Sequence, residues 1–75
     1  MIFFVCLYTN TQVYAQALGF TNTVMYFAEA ETKDQAGQKA RNYFESRYKI
    51  GARVSSVSVA LRQDRKRYYF PEYIL

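Results

Sequence analysis

The chain has no histidine among its 75 residues. That removes the usual imidazole base, the Ser-His-Asp and Cys-His nucleophile pairs, and histidine metal ligands. Cysteine occurs once, as Cys6, so no internal disulfide can form, and this argues for a reducing, cytoplasmic setting. Cys6 sits inside "MIFFVCLY", with no basic neighbour to activate the thiol, and reads as a small hydrophobe of a strand. The three glycines, Gly19, Gly37 and Gly51, are scattered, which leaves no phosphate-cradling loop. Proline occurs once, as Pro71. The apolar run at the N-terminus is far too short to span a bilayer. It also lacks the leading cation and unbroken core of a secretory signal, although "AQA" at 15–17 imitates a cleavage site. We expect no cofactor, no metal and no enzymatic activity. The carboxylates Glu29, Glu31 and Glu45 show no pairing as acid and base.

Aromatic residues and cations are what the chain holds in excess. Eight tyrosines and six phenylalanines are a large share of so short a sequence. Aromatics enlarge a thin core and are also enriched at binding surfaces. The net charge is +4. Its densest part is "RQDRKRYYF", where Arg62, Arg65, Lys66 and Arg67 run into Tyr68, Tyr69 and Phe70. Cations beside aromatics suit phosphates and stacked bases. The same residues also suit a solvated turn, with Asp64 as turn former.

One domain, residues 1–75, is expected, with an aromatic tail at 68–75. The run at 2–8 is apolar on both alternate faces and reads as a buried strand. "TNTQVYAQALGFTNT" then extends it into a long hairpin closed near Leu18 and Gly19, its two "TNT" triplets reading as strand-end and turn chemistry. A second strand covers 24–31. Thr32 with Gln35 forms a capping box, and Ala36, Ala40, Tyr43 and Phe44, with Arg47 at the margin, fall on one side of the helix that follows. Gly37 lies inside that helix, either exposed or at a close approach, and Gly51 is expected just past its end. A third strand covers 53–63. Val54 is out of phase there with Val57, Val59 and Leu61, which implies a bulge near Ser55 and Ser56. A short fourth strand fits near 67–70, at an edge because Pro71 cannot donate to a ladder.

The fold class is therefore α+β, in the order β-β-α-β. It is a three-stranded antiparallel sheet of spatial order 2-1-3, with one helix on one face. The uncovered face holds half of residues 2–8, plus either Met25 and Phe27 or Val24 and Tyr26. We take Phe3, Val5, Leu7, Met25 and Phe27 as a candidate apolar interface. The tail could cover that face, a second copy could pair through it, or another protein could dock there.

A strand ending in "AEAET", a Thr-capped helix reading "DQAGQKA", and then "IGARVSSVSV" make a familiar layout. Over residues 26–59 it resembles a group of very small phage proteins that take over the host or counter its defences. These are the podoviral RNA polymerase inhibitors and several anti-CRISPR proteins. The present chain departs from them in its basic charge, its longer insertion and its tail. The resemblance implies a non-enzymatic inhibitor in the host cytoplasm, acting on a host protein or ribonucleoprotein complex. Arg41, Glu45 and the 62–69 run, with Arg62, Arg65, Lys66, Arg67, Tyr68 and Tyr69, are its candidate partner-binding residues. Direct binding of single-stranded nucleic acid is the alternative, and a homo-oligomeric structural protein is a third reading.

Overall fold

The computed structural model describes residues 1–15, 19–60 and the strand at 72–74. The elements run β1 (Ile2–Ala15), β2 (Gly19–Glu29), α1 (Lys33–Tyr48), β3 (Arg53–Val59) and β4 (Glu72–Ile74). The four strands form one sheet of order β3-β1-β2-β4. The expected order 2-1-3 is present, and β1 is central because both its faces are apolar. Both pairings of β1 are antiparallel, as expected of the three-stranded sheet, and β4 adds to it by pairing with β2 in parallel. The expected fourth strand at 67–70 lies outside the described residues; the one present follows Pro71. Proline lacks an N–H, yet the residues after it are free to pair.

The hairpin is as long as the insertion suggested. Gly19 takes φ 72°, a left-handed conformation that glycine adopts without a Cβ clash. The two "TNT" triplets are not at strand ends. They face each other in mid-hairpin, where the β1–β2 register shifts between Tyr8 and Val13. Thr9 Oγ1 donates to the Thr11 carbonyl at 2.6 Å, and Asn22 Nδ2 donates to the Thr9 carbonyl at 2.9 Å. Thr21 Oγ1 accepts from the Thr23 N–H at 3.0 Å. These short polar side chains satisfy backbone groups that the irregular ladder leaves over. The second strand starts earlier than expected and stops at Glu29, so Glu31 belongs to the loop before the helix.

The helix begins as the sequence predicts. Thr32 Oγ1 accepts from the Gln35 N–H at 3.2 Å, and Gln35 Oε1 accepts from the Glu31 N–H at 3.1 Å. Its end is a correction. The left-handed residue that stops it is Lys49, at φ 61°, whose N–H donates to the Glu45 carbonyl; Gly51 has no such role. Ala36, Gly37, Ala40 and Phe44 are buried against the sheet, and Arg47 is exposed. Gly37 marks a close approach: a Cβ there would lie 3.3 Å from a Val54 methyl and 3.4 Å from a Val57 methyl.

The expected bulge is at Ser55. Cys6 pairs with Ser56 and Leu7 with Val54, which leaves Ser55 as the extra residue. The bulge brings Val54 back into phase with Val57 on the helix side.

The register also settles which face is which. Val5 pairs with Tyr26 and Leu7 with Val24, so Phe3, Val5 and Leu7 lie beneath the helix with Phe44, Ala36 and Ala40. They are buried core and not an interface, which corrects the candidate set. Phe4 pairs with Phe27 and Cys6 with Met25 on the opposite face. The Phe4 and Phe27 rings lie 5.6 Å apart, and Phe27 is only 2% exposed, so that face is not an open patch at its centre. Met25 and the free Cys6 are half-buried there.

Candidate partner-binding surface

Backbone pairing puts Tyr8 of β1 opposite Arg53, the first residue of β3. The Arg53 guanidinium lies 4.8 Å from the centre of the Tyr8 ring. A cation over an exposed tyrosine stabilises by about 0.5–1 kcal/mol, which biases the guanidinium toward the ring. The last turns of α1 approach the same place. Arg41 Nε donates to Glu45 Oε2 at 3.3 Å, a spacing of one helical turn. The same Glu45 oxygen accepts the Ala52 N–H at 3.1 Å, tying the connection between α1 and β3 to the helix. The Ala52 N–H and the Arg41 guanidinium together hold the Glu45 carboxyl below its ordinary range, against a smaller opposing effect of burial.

These groups line a groove of about 440 Å³ with Asn10, Thr11 and Ile50. Its polar wall comes from the β1 irregularity, and its cations from α1 and β3. The groove can take an acidic or planar group between Arg41 and Arg53, with the Tyr8 ring as an apolar flank.

Arg41 and Glu45 are thus the members of the sequence-based candidate set that the structure brings together. Arg62, Arg65, Lys66, Arg67, Tyr68 and Tyr69 lie outside the described residues. Tyr8 and Arg53 were not singled out from the sequence. Only the pairing register makes them neighbours, and no local pattern carries that information.

A second pair was also missed. Tyr14 and Phe20 pack edge-to-face at 5.5 Å near the hairpin tip, although they are 63% and 72% exposed. Two aromatics within a stretch of Thr, Asn and Gln were the available signal. Among the described residues, no three His, Cys, Asp or Glu side chains come together as metal ligands would. No helix among them is long and apolar enough to cross a membrane. Comparison with protein-family models, curated proteins and solved structures yields no match to this chain.

Proposed function

We propose that this chain is a small non-enzymatic inhibitor of the phage type, which docks on a host protein complex that handles nucleic acid. The observation that carries the reading is the groove in which Arg53, stacked on Tyr8, stands beside the Arg41–Glu45 pair. Arginine and tyrosine are the side chains most often found as interface anchors, and an excess of positive charge speeds encounter with an acidic partner. The resemblance over residues 26–59 supports the same class, and the hairpin aromatics Tyr14 and Phe20 add a second anchor. The test uses the purified chain in two assays: target cleavage by CRISPR effector complexes, and transcription by bacterial RNA polymerase. Inhibition in either assay, weakened at least tenfold by Tyr8→Ala with Arg53→Glu in a variant that still folds, is the expected result. No inhibition in both at micromolar protein would count against the reading.

The Arg53–Tyr8 stack also favours a second reading, direct binding of single-stranded nucleic acid. Oligonucleotide binding that weakens steeply with added salt separates it from protein docking.

A further inference from the structure

The two edges of the sheet are unlike. On the β2 side, β4 occupies the edge at residues 26–28. On the other side β3 has no neighbour among the described residues, and its burial runs exposed at six of seven positions, with only Val57 half-buried. An unpaired strand presents a row of N–H and C=O groups ready to receive another strand. Natural edges are guarded by lysine, proline, inward charges or bulges. Here Arg53, at the first position, is the strand's only charge. The Ser55 bulge sits near that end and leaves residues 56–59 regular.

The helix adds a recognition wall. Lys33, Gly37 and Arg41, at successive turns of α1, line a groove of about 470 Å³ with Val54 and Val57. Lys33 and Arg41 are eight positions apart, a rise of about 12 Å along the helix. Residues i and i+4 of an extended strand are about 13 Å apart and point to the same side. A strand added to β3 would therefore set two such side chains near the two cations. The one between them, at i+2, would lie against Val54 and Val57 where they pack on Gly37.

We infer that the edge of β3, open among the described residues, takes up an extended segment of a partner protein as a further strand, and that this segment carries acid, apolar and acid residues at alternate positions. Charge selects this occupant over a second copy. Along the groove and its extension, the three cations Lys33, Arg41 and Arg53 outnumber the two acids Asp34 and Glu45, whereas another copy would bring a net +4 of its own. Arg41 is exposed, and its pair with the half-buried Glu45 is weak enough to yield to a better-placed acid. The inference rests on the protein-docking reading above and specifies its contact.

The probe is the capped heptapeptide Thr-Glu-Thr-Val-Thr-Glu-Thr, titrated into the isotopically labelled full chain and followed by amide NMR shifts. The expected result is saturable binding with shifts concentrated at residues 53–59 and slowed hydrogen exchange there. The peptide with lysine for glutamate should bind at least tenfold more weakly, and Lys33→Glu with Arg41→Glu should reverse that preference. Lys33→Gln, a single exposed change, should weaken the acidic peptide about threefold and keeps the test open if the double variant misfolds. The inference is overturned by an absence of shifts at millimolar peptide, by shifts elsewhere, by equal affinity for both peptides, or by a dimer whose β3 amides are already protected. Inhibition in the functional assays without peptide binding would overturn the edge contact alone; loss of both would overturn the docking reading as well.

Discussion

Glu45 ties two parts of the chain together through one carboxylate oxygen: its own helix, at Arg41, and the connection to β3, at the Ala52 backbone. Because its folded pKa is depressed, its contribution to stability is present above the unfolded carboxyl pKa. That contribution is lost as pH falls through the folded value. Glu45→Gln should thus lower the denaturation midpoint near neutral pH, and the gap from the parent should shrink in acid, once the pH has fallen through the folded value. Equal gaps at neutral pH and in acid would contradict this. Gly37 poses a different balance. Alanine there gains about 1 kcal/mol of helix propensity, but its methyl must displace Val54 and Val57. We expect Gly37→Ala to stay within about 0.5 kcal/mol of the parent, and Gly37→Val to cost about 1–3 kcal/mol in urea unfolding. Phe44 is fully buried and stacked on Tyr48 at 4.7 Å. Phe44→Ala should cost about 3–5 kcal/mol, which would unfold much of so small a domain.

At the scale of elements, the helix start, the bulge and the long hairpin were legible because each has a local cause. Thr32 and Gln35 are three residues apart, Val54 breaks the period of its strand, and Gly19 follows a polar hairpin arm. The helix end was misplaced because glycine favours the left-handed conformation, yet Lys49 adopts it, held by its bond to Glu45. The place and direction of β4 were not legible either. Three residues carry little pattern, and their partner, the edge of β2, is distant in sequence. A chain ending at Pro71 tests the value of that strand. Losing its pairing with residues 26–28 should cost roughly 1–3 kcal/mol and speed hydrogen exchange at those amides. Unchanged exchange would show that β4 adds nothing to the β2 edge.

For the molecule as a whole, α1 packs on β1, β2 and β3 around one core. A single cooperative transition follows, with a calorimetric enthalpy of about 50 kcal/mol near 60 °C at ordinary per-residue values. Two resolved transitions would show instead that the hairpin arm beyond the Tyr8–Val13 irregularity melts alone. The strand order was readable at this scale because β1 is apolar on both sides. The assignment of faces was not, for the same reason: with both sides of β1 apolar, nothing local says which one the helix covers. The Arg53–Tyr8 groove is likewise a product of register between distant segments.

The unlike edges of the sheet carry one more consequence. A sheet open on both sides can add copies without end and grow into a fibre. Here β4 covers residues 26–28 of the β2 side, and its three residues after a proline make a poor template for growth. Growth in register from that side would therefore have to begin on the stretch of β2 before residue 26, where the hairpin ladder is irregular, so the two edges differ in kind as well as in length.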